Sequence, residues 1–434
     1  MKKYEKYKDS GIEWIGEIPE HWESTKLKFV GESLIGIIYS PDDVVTTGEG
    51  ILVLRSSNIQ NGKLAFEDCV FVNKEVQEKY LTKEGDILLC ARNGSAHLVG
   101  KAAYIDRQNE GVTFGAFMSI VRSELEKYLF YFFNSQVFKA QTGLFSTSTI
   151  NQLTSSTLNN MFISFPRDKQ EQNAIANYLD RKTAEIDELI NDKKRLLEFY
   201  EEEKTAIINQ AVTKGINPNV PMKDSGIEWL GEIPANWSIT KLKYVTEKIG
   251  DGIHTTPKYV ENSEYKFING NNLVNGAVRY FDNTRSVSED EYDCHKKDIK
   301  EGTVLISING TIGNLAFYKN EKVILGKSAA YIETTTDLFN KFLFYIFQTH
   351  YVKTQFELSY SGSTINNLSL YTLNNLDIVL PSIEEQESII QKLESDLKEY
   401  VSGINRVLKL IDLLTEYRTT LISEVVTGKI KVIE

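Results

Sequence analysis

The sequence predicts an α+β protein: two globular mixed α/β lobes separated by two long helices that form an antiparallel coiled coil, arranged as an internal pseudo-twofold repeat. Three observations predict it. The chain is written twice, each copy opens with short β-rich runs and turn residues, and each copy closes with a proline-free stretch of helical periodicity.

The repeat is read directly. Lys8-Asp-Ser-Gly-Ile-Glu-Trp-Ile-Gly-Glu-Ile-Pro-Glu-His-Trp22 returns as Lys223-Asp-Ser-Gly-Ile-Glu-Trp-Leu-Gly-Glu-Ile-Pro-Ala-Asn-Trp237, with 12 of 15 positions identical at a spacing of 215. Thr25-Lys-Leu-Lys28 and Thr240-Lys-Leu-Lys243 continue it. Ser148-Thr-Ile-Asn151 matches Ser363-Thr-Ile-Asn366, Thr157-Leu-Asn-Asn160 matches Thr372-Leu-Asn-Asn375, and Val212-Thr213 and Val426-Thr427 close the two units. The flanking tryptophans of the lead-in segment read as a packed strand and turn rather than as a base-stacking platform.

Within each lobe, Ile51-Leu-Val-Leu54, Asp86-Ile-Leu-Leu89 and Val304-Leu-Ile-Ser-Ile308 read as strands. Asn61-Gly62, Asn93-Gly94, Asn275-Gly276 and Asn309-Gly310 are turn signals. Glu126 to Phe133 and Phe339 to Phe347 read as short helices packed on a sheet. Lys169 to Thr213 and Glu384 to Thr427 lack proline and carry heptad columns. In the second stretch Ile390, Leu397, Ile404 and Ile411 form one column, and Leu393, Tyr400, Val407, Leu414 and Leu421 the other. The first stretch is patchier: Ile186, Tyr200 and Ile207, then Leu189 and Leu196, with Lys193 intruding. A helix of roughly 40 residues is about 60 Å long and cannot bury its stripe on one small lobe. Pairing the two helices with each other is the economical solution, and two independent coiled coils are the alternative.

Composition excludes several classes. The chain of 434 residues is 41% hydrophobic and 25% charged, which suits two soluble domains. No apolar run suits a membrane span, and the polar start Met1-Lys2-Lys3-Tyr4-Glu5 is unlike a signal peptide, so a cytoplasmic location is expected. Three scattered cysteines (Cys69, Cys90, Cys294) are expected to be buried small side chains. A net charge of −11 argues against a free-standing, high-affinity binder of phosphates.

Catalytic constellations are missing. The chain has no Pro-Pro dipeptide, hence no Asn/Asp-Pro-Pro-aromatic box for a flipped base. Gly326-Lys327-Ser328 resembles the end of a phosphate-binding loop, but Glu321 stands where its first glycine belongs. His21, His97, His254, His295 and His350 have no metal-ligand spacing, and Pro41-Asp42-Asp43 has no Glu/Asp-x-Lys partner on a nearby strand. No catalytic or metal-binding residue is expected.

Hydrogen-bonding side chains gather instead in four loop groups of the kind that reach base edges. The first is Gly250-Asp-Gly-Ile-His254-Thr-Thr-Pro-Lys-Tyr259, offering His254, Thr255, Thr256 and Lys258. The second pairs Asn269, Asn271 and Asn272 with Arg55, Ser56 and Asn58 of the first lobe; asparagine suits adenine and arginine suits guanine. The third sets Asn309 and Thr311 opposite Arg92 and Asn93. The fourth is Ser146, Ser148 and Thr149, echoed by Ser363 and Thr364. All are also ordinary turn formers. The lead-in segments and helices match closely across the repeat, whereas these loops diverge, as two readers of different half-sites require.

The Asp-Ser-Gly-Ile-Glu-Trp-Ile-Gly-Glu-Ile-Pro-Glu-His-Trp segment, the Asp-Gly-Ile-His-Thr-Thr-Pro-Lys-Tyr loop, and the helix starts Pro166-Arg-Asp-Lys-Gln-Glu171-Gln172 and Pro381-Ser-Ile-Glu-Glu385-Gln386 together resemble the specificity subunits of Type I restriction–modification enzymes. The resemblance covers essentially the whole chain, in duplicate. It implies target-recognition domain 1 over 1–166, a spacer helix over 167–214, target-recognition domain 2 over 215–381, and a second spacer helix with a C-terminal tail over 382–434. It implies a non-catalytic subunit that binds double-stranded DNA, each lobe reading half of a bipartite site. It implies docking of two modification (adenine methyltransferase) subunits, with restriction/translocase subunits in the full complex. S-adenosylmethionine, ATP and Mg then belong to the partners, with no cofactor in this chain. A lone sequence-specific DNA binder and a coiled-coil scaffold without nucleic acid are the competing classes.

Overall fold

A computed structural model describes residues 2–46, 48–145, 151–360 and 367–432, without the side chains of 143–145. The chain forms two compact units: Met1–Lys194 with Leu408–Glu434, and Arg195–Val407. Each long helix, Lys169–Lys214 and Ile383–Val426, is thus shared, one half to each unit.

The first unit carries a four-stranded antiparallel sheet in the order Ala102–Tyr104, Ile87–Cys90, Met118–Ser123, Gly31–Ile35. A second sheet runs Thr113–Phe114, Ile51–Leu54, Val70–Val72, Val44–Val45, and its Thr113–Phe114 strand is parallel to Ile51–Leu54. Alternation decides which side of the first sheet each residue serves. Ile87 and Leu89 join a core with the helix Glu126–Phe133, whereas Leu88 and Cys90 join another with Leu54 and Phe114.

The second unit repeats this plan. Leu315–Phe317, Val304–Ser307, Ala329–Thr334 and Thr246–Asp251 form one antiparallel sheet; Tyr259–Val260, Arg285–Val287, Lys266–Ile268 and Val323–Leu325 form the other, its last pair parallel. Asn61-Gly62 and Asn275-Gly276 make the expected tight hairpins, with positive φ at all four residues (51°, 78°, 50° and 79°).

The helices pair within each unit. In the first, Arg418 Nε and Nη2 lie 2.7 and 3.2 Å from the two carboxylate oxygens of Asp187. The Tyr128 hydroxyl lies 2.7 Å from the Ser164 carbonyl, just before the first helix, and 2.9 Å from that of Val426, at the end of the second. The two segments therefore run in opposite directions. In the second unit Tyr200 and Tyr400 meet edge to face at 6.1 Å, and Gly215, just past the first helix, lies beside Glu385 at the start of the second. The columns of the second helix all face inward, but Leu189 of the first is 47% exposed and Ile190 packs on the core in its place. With 3.6 residues per turn, a strict seven-residue column drifts around the helix, and the interrupted column at Lys193 does not hold it.

Two other expectations are corrected. Cys294 is exposed and Cys69 half-exposed, leaving Cys90 as the buried thiol; Cys294 sits on the short helix Glu289–His295, which has no buried face. Trp22 and Trp237 are fully buried, but Trp229 is 42% exposed.

Trp22 also explains the Glu-Gln at each helix start. The Glu171 carboxylate is buried and accepts from the Tyr4 hydroxyl (2.8 Å) and Trp22 Nε1 (3.0 Å), with His21 Nε2 at 2.9 Å. Burial, and then Glu171, push the Tyr4 hydroxyl well above its usual range. At the equivalent place Glu385 takes only Asn236 Nδ2 (3.0 Å) of these side chains, and Trp237 Nε1 is buried without a partner. Glu171→Ala orphans the buried donors of Tyr4 and Trp22 and is expected to cost about 3 kcal/mol, against about 1 kcal/mol for Glu385→Ala. Urea denaturation of the two variants checks this, and equal losses would contradict the role of Glu171 as acceptor for Tyr4 and Trp22.

Candidate nucleic-acid interface

Three of the loop groups come together at one sheet edge in the second lobe. Ile253 donates its N–H to the Leu325 carbonyl (2.7 Å), which brings the His254–Lys258 loop alongside Gly326-Lys327-Ser328. The Gly270 N–H donates to Ser328 Oγ (2.9 Å), and that hydroxyl donates to Asn269 Oδ1 (3.1 Å). The Ile308 N–H donates to the Ser328 carbonyl (2.9 Å), and the Leu368 N–H to the Ile308 carbonyl (2.8 Å). Asn309 thereby bridges to Asn367, so the chain at Asn367 and Leu368 closes the edge.

The first lobe builds the same frame. The Ile37 N–H donates to the Phe114 carbonyl (2.8 Å), the Ala91 and Arg92 N–H groups to the Phe117 carbonyl (2.9 and 3.0 Å), and the Leu153 N–H to the Ala91 carbonyl (2.7 Å). Arg92 bridges to Gln152 as Asn309 does to Asn367. Close approach makes one position in each frame a glycine. A Cβ on Gly36 would lie 2.2 and 2.3 Å from the carbonyl oxygens of Phe114 and Gly115, and one on Gly252 equally close to those of Leu325 and Gly326.

These bonds set the two lobes in register side chain by side chain. Arg92 stands where the second lobe has Asn309, Phe117 where it has Ser328, Ala116 where it has Lys327, Ile38 where it has His254, and Asp42 where it has Lys258. His254 is exposed with its Nε2 2.9 Å from Asp251 Oδ2; Thr255, Thr256, Lys258, Asn271 and Thr311 are exposed, and Asn309 is half-buried. Arg92 is exposed, its guanidinium 5.1 Å from the centroid of the Phe117 ring, itself 59% exposed.

Other candidates serve the scaffold. Asn58 and Asn272 are buried. Asn58 Oδ1 accepts from the Arg55 N–H (2.8 Å), and its Nδ2 donates to the carbonyls of Ala65 and Asp68 (2.9 and 3.0 Å). Asn272 Oδ1 accepts from the Asn269 N–H (2.9 Å), and its Nδ2 donates to the Arg279 carbonyl and Thr284 Oγ1 (2.8 and 3.2 Å). Both hold a turn, which is the ordinary use of asparagine there. Arg55 pairs with Asp68 at 2.7 Å, and Asn93 donates to Ser56 Oγ at 3.1 Å. Asp43 Oδ2 accepts from the Ser40 N–H (2.7 Å), and this backbone bond foremost, with Lys74 adding, holds its carboxyl below the usual range. Burial pushes the Cys90 thiol up. Ser146, Ser148, Thr149, Ser363 and Thr364 lie outside the described residues.

Sequence reasoning missed Phe117, Lys327 and Ile38. Phe117 and Ile38 are apolar and give no recognition signal, and Lys327 carries only the signal of a failed phosphate loop. The equivalence of all three positions lies in the backbone bonds of the two lobes, not in residue count.

A duplicated α+β lobe presenting one variable edge per copy defines a two-site recognition protein. Residues 19–198 and 234–410 match the family described as the Type I restriction modification DNA specificity domain, and the chain belongs to that family. It is 27% identical over 442 residues to the putative type I restriction enzyme MjaX specificity subunit of Methanocaldococcus jannaschii, spanning 96% of each chain. It is 24% identical over 430 residues to the StySPI specificity subunit of Salmonella potsdam, spanning 92% of this chain and 88% of that one. A solved structure described as "Structural basis underlying complex assembly and conformational transition of the type I R-M system" shares the fold, with a TM-score of 0.66, 16% identity, and coverage of 95% of this chain and 99% of that chain.

The two kinds of asparagine separate by experiment. Asn272→Ala leaves the Asn269 N–H and the Arg279 carbonyl unpaired and is expected to destabilise by roughly 1–3 kcal/mol. Asn271→Ala is expected to leave the melting temperature unchanged, since surface substitutions stay within about 0.5 kcal/mol. Differential scanning fluorimetry reads both, and a stable Asn272→Ala protein would contradict the turn-holding assignment.

Proposed function

We propose that this chain is the DNA sequence-recognition subunit of a Type I restriction–modification complex, each lobe reading one half of a bipartite target. The observation that carries the reading is one backbone frame, built twice with matching bonds, on which the side chains differ: exposed Arg92, Phe117 and Ile38 in one lobe, half-buried Asn309 and Ser328 with exposed His254 in the other. A frame held constant with readers exchanged is what recognition of two unlike half-sites requires. The reading set is Arg92, His254, Thr255, Thr256, Lys258, Asn271, Asn309 and Thr311, joined by Lys327. Asn58 and Asn272 fall outside it.

The long helices act as an antiparallel coiled coil that spaces the half-sites. Oppositely directed segments inside each unit support this, as do the inward heptad columns of the second helix. Two modification subunits dock on the helices, one for each repeat. An uncovered apolar stripe at Leu410, Leu413 and Tyr417, with i, i+3, i+7 spacing, suits a partner helix. Those partners bring S-adenosylmethionine and methylate adenine, and restriction subunits bring ATP and Mg. They also share the phosphate contacts that a chain of net charge −11 is poorly suited to make alone. Among the described residues no helix is long and apolar enough to cross a membrane.

Single-molecule methylation mapping in cells expressing this chain with its modification subunit tests the reading. One bipartite adenine-methylated motif that vanishes without the chain is the expected result; no chain-dependent methylation from an assembled complex contradicts it. The spacer role is tested by inserting seven residues into both helices, after Arg195 and after Val407. One heptad adds about 10 Å and keeps the inward columns, so the gap should widen by about three base pairs at 3.4 Å each, with both half-sites intact. An unchanged gap, or a changed half-site, would sink the spacer.

A further inference from the structure

We propose that Arg92, backed by Phe117, is the residue through which the first lobe requires a G·C pair at one position of its half-site. The inference rests on the lobe edge facing DNA and deepens that reading by naming the base. Of the four arginines of the first lobe, Arg92 is the one carried on this frame; Arg107 is exposed on the separate short turn Arg107–Asn109, outside it. Arg55 is committed to Asp68 at 2.7 Å, and Arg122 to Asp86 at 2.9 Å and to the Leu81 carbonyl at 2.5 Å. Among the described residues no carboxylate pairs with Arg92, and its only side-chain partner there is the Phe117 ring.

That ring does two things. Its face stabilises the cation and limits the planes the guanidinium can adopt, so less side-chain freedom remains to be lost on binding. The backbone of Arg92 is fixed as well, by its N–H on the Phe117 carbonyl and its bridge to Gln152, so platform and reader belong to one rigid unit. A held planar fork that no carboxylate of the described residues neutralises matches the two acceptors, N7 and O6, that guanine shows in the major groove. The second lobe has Asn309 and Ser328 at these places and lacks both fork and platform, so this reader belongs to the first lobe alone.

The test is methylation mapping with the full complex carrying Arg92→Gln, Arg92→Lys or Phe117→Leu. The wild type should show a fixed G·C pair in the half-site that responds to Arg92. Arg92→Gln should reduce the preference for that pair by about 5- to 150-fold, leaving the other half-site and the gap unchanged. Arg92→Lys keeps the charge but loses the fork, and should relax the same position. Phe117→Leu keeps the bulk without the platform and should relax it partially; it also carries the test if Arg92→Gln fails to fold. The proposal is overturned if the substitutions lower methylation evenly across sites with the motif intact, as a phosphate contact would. It is equally overturned if the position that responds is an A·T pair. Absence of any chain-dependent methylation with the wild type defeats the underlying reading first, before any variant is compared.

Discussion

Two backbone carbonyls, those of Phe117 and Ser328, hold the candidate interface together. Each follows the short parallel strand of its lobe and accepts from the end of the central strand of the other sheet, through Ala91 and Ile308. A parallel strand cannot be joined to its neighbour by a tight turn, so its ends are free to meet elements distant in sequence. The loop after Gly36 or Gly252, the end of the central strand and the returning chain at Leu153 or Leu368 are therefore gathered at one place. Since the anchoring bonds are main chain to main chain, the side chains above them can change without moving the frame.

This separation of frame from the side chains it carries accounts for where the sequence is conservative within itself and where it is free. Gly36 and Gly252 are constrained because a carbonyl lies about where a Cβ would be. Asn58 and Asn272 are constrained because each closes a turn with three hydrogen bonds. Position 92, by contrast, offers only its main chain to the frame, and the two lobes fill it with arginine and asparagine. Polarity alone does not separate these positions, since asparagine stands both as a buried strut at Asn272 and exposed beside it at Asn271.

The sharing of the helices between units follows from the same economy. A 46-residue helix carries more apolar stripe than one small lobe can cover. In the first unit the core that buries Ile175 and Leu179 of the first helix also takes Leu421, Ile422, Val425 and Val426 of the second. In the second unit Ile208 and Val212 share a core with Ile389, Leu393 and Leu397. Each lobe is thus completed by the ends of both helices.

The sequence by itself determined the duplication, the α+β class, the hairpins at Asn61-Gly62 and Asn275-Gly276, and the inward columns of the second helix. These are local or periodic properties, set by φ preferences and by the 3.6-residue turn. Only the tertiary structure decided that Leu189 turns outward, that Cys294 is exposed, and that Asn58 and Asn272 are struts. Only it brought Phe117 beneath Arg92 and Lys327 into the same edge as His254. Those outcomes depend on which distant backbone groups find each other, and one-dimensional spacing holds no record of it.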